Sequence, residues 1–157
     1  NRELLEDRVA QLLARARRDS GCHAGLYIDL DGFKAINDTL GHDQGDAVLC
    51  TVARRLVAAV RQTDTVSRLG GDEFFVLAHD VDTRAGAVQL AEKLLKCIGE
   101  PLPGLADDSC LGASIGICVF CGGAKAENEP EEIIRFADRA RYQAKASGKN
   151  RYACAEH

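Results

Sequence analysis

Residues 68–77, RLGGDEFFVL, have flanks typical of β-strands around a centre of two glycines and two acids. Strand-forming residues occur on both sides of this centre, within 66–69 and 74–77. A Gly-Gly-Asp cluster between two such runs is typical of a tight hairpin turn. The sequence therefore predicts a β-hairpin whose tip carries Asp72 and Glu73.

Gly70 and Gly71 suit the close approach of a ligand to this turn. Glycine permits positive φ and has no Cβ, so a bulky group can come near the backbone. A phosphate that carries a divalent metal is one such ligand, because it can use both an unobstructed backbone and the neighbouring carboxylates of Asp72 and Glu73. A plain surface hairpin satisfies the same pattern, so the turn alone leaves both interpretations open.

The composition bounds the class of protein. With 157 residues, 46% of them hydrophobic and 28% charged, the chain suffices for one globular domain with a buried core. A formal net charge of −4 and a pI near 5.6 argue against a surface built for DNA or RNA and leave room for a small nucleotide pocket. The longest uncharged run, 109–124, is too short to span a bilayer, so we expect a cytoplasmic domain without membrane insertion.

Seven cysteines are present, an odd number with irregular spacing. Disulfide frameworks of small secreted proteins use even sets of cysteines, so we expect reduced thiols. Cys118 and Cys121 form a CxxC pair within a strand-like run, where residues three apart point to opposite faces. Joint metal binding by this pair would need the strand to end between them.

Hydrophobic periodicity predicts the other elements. Apolar residues with the helical period alternate along the chain with short apolar runs that are bounded by turn signals. We predict helices over 2–18, 43–60, 83–98 and 130–148, one short helical turn within 31–38, and strands at 24–30, 110–120 and 151–155.

This order of elements predicts a single α+β domain over residues 1–157. Its βαββαβ core corresponds to the split-βαβ, ferredoxin-like arrangement, in which helices cover one face of a sheet. An N-terminal helix and a C-terminal helix-strand pair are added to this core. The hairpin turn is expected at one end of the sheet.

A second pair of acids lies at the end of the first predicted strand. In YIDLDGF, Asp29 and Asp31 are two residues apart and therefore share one face of the strand. If this strand neighbours the hairpin, Asp29 and Glu73 can meet. Mg²⁺ takes one or two carboxylates together with phosphate oxygens, so this pair and a nucleotide would complete a metal site. Asp31 also begins a D-G turn, and capping that turn is an equally good account of it.

Four blocks of sequence, taken together, resemble the GGDEF family of diguanylate cyclases. They are IDLDGFKAINDTLGH at 28–42, RLGGDEF at 68–74, ASIGI at 113–117 and ADRARYQAKASGKNRY at 137–152. The resemblance covers nearly the whole chain and is specific, because the blocks occur in the family's order and spacing. It implies a palm-like fold shared with nucleotidyl cyclases and a role in bacterial second-messenger signalling. The implied reaction condenses two GTP molecules into cyclic di-GMP and releases two pyrophosphates.

The resemblance implies a role for each residue of the turn. Asp29 and Glu73, with the Leu30 carbonyl, would bind two Mg²⁺ or Mn²⁺ ions. Asp72 would lie near the attacking 3′-hydroxyl, as a general base or as a metal ligand. The two glycines at 70–71 would let the nucleotide lie against the backbone.

The resemblance also implies how guanine is recognised. Asn37 and Asp46 match the family's guanine-binding residues, an amide and a carboxylate suited to the N1–H and the amino group of that base. Adenine has a lone pair at N1 and would leave a buried carboxylate unpaired, which disfavours ATP. Without the resemblance, both residues are ordinary turn and helix-start residues.

Cations near the end of the chain match the family's triphosphate contacts. Lys145 matches such a contact, and Lys149 occupies a position often held by arginine. The two lysines are four apart and on the same side as Arg141, so their charges can converge on one phosphate. Phe33 and Lys34 match the loop beside the triphosphate, although Phe33 is also a candidate for the core.

The RxxD sequence formed by Arg61 and Asp64 ends shortly before the glycine turn. At this offset it matches the family's inhibitory site, where the arginine would bind guanine O6 and N7 of cyclic di-GMP. Lys93, on the neighbouring predicted helix, is a further candidate for the same site. Without the resemblance, an arginine at a helix C-terminus and an acid before a strand are commonplace.

The resemblance implies a homodimer, because each domain holds one GTP and the reaction joins two. Each 3′-hydroxyl would approach the α-phosphate of the nucleotide in the partner chain. The family usually opens with a short motif that ends in Asn-Arg, and this chain starts at that dipeptide. We therefore expect a domain excised from a longer protein with a covalently linked upstream sensor.

Three other functions stay open at this point. The domain could bind GTP or cyclic di-GMP as a catalytically silent regulatory module. It could be a cyclase that accepts ATP as well as GTP, although Asp46 disfavours this alternative. It could also be a purely structural dimerisation domain. The presence of Asp29, Asn37 and the acids of the turn favours the enzyme.

Overall fold

The computed structural model describes residues 2–19, 21–105, 110–122 and 129–156. The element order agrees with the order predicted from periodicity. The helices are α1 (Arg2–Asp19), α2 (Phe33–Leu40), α3 (His42–Ala59), α4 (Arg84–Ile98) and α5 (Pro130–Ala146), and the strands are β1 (Cys22–Asp31), β2 (Thr65–Gly70), β3 (Glu73–Ala78), β4 (Gly112–Cys121) and β5 (Arg151–Cys154).

The strands form one sheet in the order β2-β3-β1-β4-β5. All neighbouring pairs are antiparallel except β4 and β5, which are parallel. The first four strands with α3 and α4 form the predicted βαββαβ core, with β1 at its centre. The predicted α+β, ferredoxin-like fold is thereby confirmed.

Helices cover both faces of this sheet. Leu26 and Ile28 of β1 face a core that includes α3 and α4, as predicted for the two core helices. Tyr27 of β1 and Phe75 of β3 face a second core, which α1 and α5 complete. The interior of β1 is buried without interruption, which is typical of a strand covered on both sides. The prediction of helices on one face therefore holds for the core helices but not for the two added ones.

Helix α5 lies very close to β4. A Cβ added at Gly116 would lie 1.9 Å from the carbonyl oxygen of Ala137 and 2.2 Å from the backbone nitrogen of Arg141. Only glycine permits this approach. It brings the last two turns of α5 over the end of β1, where Asp29 lies.

The segment 39–42 differs from the prediction. A loop was expected between the helical turn within 31–38 and the helix from residue 43, but α2 is an eight-residue helix that ends at Leu40, and α3 starts at His42. Gly41, with φ of 90°, separates the two helices. A left-handed φ is easily adopted by glycine, so one residue suffices for the change of direction that the prediction assigned to a loop.

The prediction that all cysteines are reduced is wrong for one pair. Cys22 and Cys121 form a disulfide, with their Cα atoms 4.0 Å apart. They are direct partners in the β1–β4 register although 99 residues separate them in sequence. The other five cysteines are not in disulfides, and Cys118 is buried, so the CxxC pair does not act as a unit.

In the described ranges, none of the helices has both the length and the apolar character that crossing a bilayer requires.

Candidate active site

Asp29 and Glu73 are neighbours across the β1–β3 ladder. They are Cα partners in the register of the two strands, as the predicted strand order implied. The Leu30 amide donates to the Asp72 carbonyl oxygen at 3.0 Å, which continues the pairing into the turn. The structure therefore brings together the residues that were predicted to bind metal and to lie at the 3′-hydroxyl.

The turn between β2 and β3 is open. Gly70 pairs with Glu73, so Gly71 and Asp72 form the tip of the hairpin. A Cβ added to either glycine would have no heavy atom within 4 Å, and neither residue has a positive φ. The glycines thus provide free space beside the backbone, and the left-handed conformation considered from the sequence is not used.

Arg68 stabilises this turn and was missed by the sequence analysis. Its Nε and Nη2 donate to the Gly71 carbonyl oxygen at 3.2 and 3.0 Å, across the bulge between residues 68 and 70. The signal available in the sequence was an arginine two residues before a Gly-Gly turn. The contact with a carbonyl inside the turn became visible only with the hairpin geometry.

Two cations bind one oxygen of Asp29. Arg141 Nη1 lies 3.0 Å and Lys145 Nζ 2.7 Å from Asp29 Oδ2, and the Asp29 side chain is 8% exposed. The hydrogen bond to Asp29 raises the pKa of Lys145 against the effect of burial. Burial lowers the pKa of Arg141, but the charges of Asp138 and Asp29 outweigh this effect and raise it. Both groups are therefore fully charged at neutral pH.

Arg141 is fixed by further contacts. Its Nε donates to Asp138 Oδ1 at 2.9 Å, and its guanidinium lies over the Tyr27 ring at 5.6 Å from the ring centroid. The Arg141 side chain is 16% exposed, compared with 38% for Lys145. Arg141 is thus held firmly within the site, whereas the Lys145 side chain is more exposed.

Tyr27 connects this cluster to Glu73. Burial raises the pKa of Tyr27 to about 12, and the charges of Glu73 and Asp138 and a hydrogen bond to Glu73 act in the same direction. The phenol is therefore neutral at physiological pH. The raised pKa of Tyr27 reflects, after burial, the charge of the nearby Glu73 carboxylate, which is a predicted metal ligand.

Asp31 has a structural role. Its carboxylate accepts hydrogen bonds from Ser114 Oγ at 2.9 Å and from the backbone amide of Asn150 at 2.8 Å. Asp31 therefore joins β1, β4 and the turn before β5. It caps this turn, whereas the sequence suggested that it caps the D-G turn that it begins. Both Asp29 and Asp31 lie on the face covered by α5, as their spacing predicted.

The predicted guanine site depends on a glycine that the sequence analysis did not select. A Cβ added at Gly45 would lie 2.2 Å from Asn37 Oδ1 and 3.4 Å from Phe33 Cζ. Because Gly45 has no side chain, the Asn37 amide can lie against α3. Gly45 immediately precedes Asp46, which is exposed. His42 Nδ1 lies 3.3 Å from Asn37 Nδ2. The signal in the sequence was a glycine inside a helical pattern, which usually has a packing reason.

The other predicted triphosphate residues have mixed outcomes. Phe33 is 9% exposed and belongs to the core, whereas Lys34 is exposed. Lys149 lies beyond the end of α5 with φ of 63°, and its amide donates to the Ala144 carbonyl oxygen. It therefore does not share a helical face with Lys145, as was expected, although its exposed side chain stays a candidate.

The predicted inhibitory residues line one cavity. Arg61, Asp64 and Lys93 border an open cavity of about 480 Å³ between the end of α3, β3 and α4. The Asp64 carboxylate accepts from the backbone amides of Arg61 and His79 at 3.0 and 2.9 Å. Asp64 thus holds the cavity wall together, while the exposed Arg61 and Lys93 supply its positive charge.

The donor set fits a hard divalent cation only in part. Asp29, Glu73 and the Leu30 carbonyl are oxygen ligands of the kind that Mg²⁺ and Mn²⁺ prefer. Within the described ranges, no three acidic, histidine or cysteine side chains come together in a way that could hold a metal. Two carboxylates match the usual arrangement in which phosphate oxygens and water complete the shell.

Comparison with known proteins gives the same family over the whole domain. Residues 1–151 match the family model for the GGDEF domain of diguanylate cyclases. The chain is 45% identical over 152 residues to the bifunctional diguanylate cyclase/cyclic di-GMP phosphodiesterase MucR of Pseudomonas aeruginosa, covering 97% of this chain and 22% of MucR. It is 40% identical over 161 residues to the diguanylate cyclase TpbB of the same species, covering 98% of this chain and 35% of TpbB.

A solved structure of the TpbB GGDEF domain from Pseudomonas aeruginosa superposes with a TM-score of 0.89 at 35% identity. The match covers 99% of this chain and 90% of that chain. The chain thus corresponds to one domain of its relatives and spans roughly a fifth to a third of their full lengths. Since the family model and the superposition extend over nearly every residue, this chain belongs to the GGDEF domain family of diguanylate cyclases.

Proposed function

We propose that this domain is an active diguanylate cyclase that condenses two GTP molecules into cyclic di-GMP with release of two pyrophosphates. The observation that carries the proposal is the pairing of Asp29 with Glu73 across β1 and β3, beside an open Gly-Gly turn. A structural module would have no use for two neighbouring acids and three buried or half-buried cationic and phenolic partners around them. A site for a metal-bound triphosphate explains all of these groups.

The metal ligands would be Asp29, Glu73 and the Leu30 carbonyl, with two Mg²⁺ or Mn²⁺ ions in each active site. Bound there, the ions would lower the pKa of the attacking 3′-hydroxyl and neutralise charge on the phosphates. The neutral Tyr27 phenol would help to orient the Glu73 carboxylate. Asp72, at the tip of the turn, would lie beside the 3′-hydroxyl and receive its proton or hold an ion.

The remaining contacts would select and hold GTP. Asn37 and Asp46, near the α2–α3 junction, would accept hydrogen bonds from the N1–H and the amino group of guanine, and an adenine would leave the carboxylate unpaired. Lys145, Lys34 and Lys149 would bind the triphosphate. The exposed positions of these lysines are consistent with contacts that form only when the nucleotide is present.

We further propose that catalysis needs a homodimer, because one domain holds one GTP and the product contains two. Cyclic di-GMP would also bind at the cavity of Arg61, Asp64 and Lys93 and inhibit the enzyme. The greater length of the relatives supports the prediction that such a domain is the output module of a larger sensor protein.

The test is to measure cyclic di-GMP production from GTP and Mg²⁺ over a range of protein concentrations. The rate should rise more steeply than in proportion to the protein, since two domains must meet. Glu73→Gln should reduce the rate at least about a thousandfold because one metal ligand is lost. An exposed acid far from the turn, Glu92, provides the control Glu92→Gln, which should have the wild-type rate.

Two results would contradict the proposal. GTP binding without any product at high protein concentration would favour the catalytically silent module. A mixed product from equimolar ATP and GTP would favour the cyclase of relaxed nucleotide choice, and would show that Asp46 does not exclude adenine.

A further inference from the structure

The Asp29 carboxylate has resident counter-ions. Arg141 Nη1 and Lys145 Nζ both lie within hydrogen-bond distance of Asp29 Oδ2, at 3.0 and 2.7 Å. Asp29 is almost fully buried, so these charges interact through protein more than through water. A metal ion that uses Asp29 therefore encounters two positive charges within a few ångströms.

The two cations differ in how firmly they are held. Arg141 has Asp138 and the Tyr27 ring as further partners and is mostly buried. Lys145 has a more exposed side chain, near the end of α5, and a flexible stem. Leaving Asp29 therefore costs less for Lys145 than for Arg141, and Arg141 stays in place.

The acids near Asp29 do not by themselves compensate for these charges. Asp138 pairs with Arg141, and Asp31 is engaged by Ser114 and Asn150. Glu73 is the other carboxylate of the predicted metal site. Two carboxylates facing the two cations leave little net attraction for a divalent ion that arrives without phosphate.

We propose that Arg141 and Lys145 are counter-ions that make metal uptake at Asp29 depend on the nucleotide. The inference rests on the proposed function and deepens it. In the empty site Lys145 neutralises Asp29. The triphosphate draws Lys145 away and brings several negative charges, so Asp29 becomes available for the ion. Arg141 remains as a positioning residue that holds the carboxylate and keeps the affinity for a metal without nucleotide low.

Mn²⁺ binding to the purified domain tests this proposal. Free Mn²⁺ is measured by electron paramagnetic resonance without nucleotide, and the ternary complex by water proton relaxation with a GTP analogue whose α–β bridge cannot be cleaved. In the wild type, the Kd for Mn²⁺ should be at least about tenfold higher without the analogue than with it. Arg141→Gln and Lys145→Gln should each lower the Kd without nucleotide about tenfold.

Matched variants separate the local charge from other effects. Arg139→Gln removes the same charge from an exposed position two residues away on α5 and should leave the Kd unchanged. Arg141→Lys keeps the charge and should keep the weak binding of the wild type, whereas a purely structural role would be damaged by both substitutions of Arg141. Arg141→Gln alone is expected to increase the affinity for Mn²⁺ without nucleotide. Adding Asp29→Asn to this variant should remove the increase.

Two results would overturn the inference. Wild-type protein that binds Mn²⁺ equally well with and without the analogue would show that metal and nucleotide are not coupled. An affinity of Arg141→Gln no higher than that of Arg139→Gln would show that Arg141 does not oppose the metal. Absence of a ternary complex in the wild type would instead refute Asp29 as a metal ligand, and with it both the proposed function and this inference.

Discussion

At the scale of single residues, the proposed recognition of guanine by Asn37 should depend on Gly45 as well. Gly45→Ala would introduce a Cβ 2.2 Å from Asn37 Oδ1 and displace the amide. We expect GTP to bind at least about tenfold more weakly, a loss typical of a misplaced hydrogen-bonding group. Alanine is the better helix former by about 1 kcal/mol, which offsets part of the crowding, so stability should change little.

Equilibrium GTP binding and urea unfolding measured on the same samples check this expectation. Gln44→Ala, at the exposed neighbouring position on α3, is the control and should bind GTP as the wild type does. Unchanged GTP binding by Gly45→Ala would mean that Asn37 does not contact the base.

Tyr27 makes the free energy of unfolding depend on pH in the alkaline range. Its pKa is about 12 in the folded protein, because of burial and the nearby carboxylates, and about 10 in an unfolded chain. The fold favours the protonated phenol, so this contribution to stability is complete below pH 10 and disappears as the pH rises to about 12. Tyr27→Phe keeps the buried ring and removes the titrating hydroxyl, so this alkaline loss of stability should be absent from the variant.

Urea unfolding of both proteins between pH 8 and about 11.5 provides the measurement. The free energy of unfolding of Tyr27→Phe should fall less steeply than that of the wild type above pH 10. Parallel curves would show that Tyr27 titrates normally.

The sequence predicted that Asp29 and Glu73 lie side by side, because their positions follow from strand periodicity. Asp29 and Glu73 become neighbours as soon as the strand order is known. Arg141 was noted only as a charge on the side of Lys145, since its contacts with Asp29 and Tyr27 need the packing of α5 on the sheet. Residue type and spacing do not encode that approach.

At the scale of elements, the site depends on how closely α5 packs against β4. Gly116→Ala would place a Cβ 1.9 Å from the Ala137 carbonyl oxygen, and the helix must then move away from the sheet. We expect a loss of about 1 to 3 kcal/mol in the free energy of unfolding, as for other overpacked positions. Because the displaced helix carries Arg141 and Lys145, cyclase activity should also fall.

Chemical unfolding of Gly116→Ala and of Gly71→Ala separates crowding from the general effect of replacing a glycine. A Cβ at Gly71 would meet no heavy atom within 4 Å, and this glycine has no positive φ, so its stability should stay within about 1 kcal/mol of the wild type. Equal losses in the two variants would rule out the close helix–strand contact as the cause.

Element boundaries were predictable where apolar periodicity is strong and less so where one residue redirects the chain. The periodic patterns of α3 and α4 were recognised to within one or two residues. The α2–α3 junction was taken for a loop because its change of direction depends on Gly41 alone. The Cys22–Cys121 pair was missed for a related reason, since only the register of β1 and β4 places these residues side by side.

At the scale of the whole molecule, the β2–β3 hairpin connects the proposed active site to the proposed product-binding cavity. The turn with Asp72 and Glu73 lies at one end, and the cavity of Arg61, Asp64 and Lys93 lies at the other. Each strand has six residues and is about 20 Å long. A ligand in the cavity therefore contacts the base of the same hairpin whose tip would carry the catalytic acids.

This separation predicts that product binding and catalysis can be removed independently. Arg61→Ala should weaken cyclic di-GMP binding at least about tenfold, because an arginine that contacts guanine contributes about 1 to 3 kcal/mol. Glu73→Gln, at the opposite end of the hairpin, should bind cyclic di-GMP as tightly as the wild type. Arg54→Ala removes an exposed arginine of α3 outside the cavity and is the matched control. In calorimetric titrations with cyclic di-GMP, a loss of affinity in Glu73→Gln as large as that in Arg61→Ala would place the product in the active site instead of the cavity.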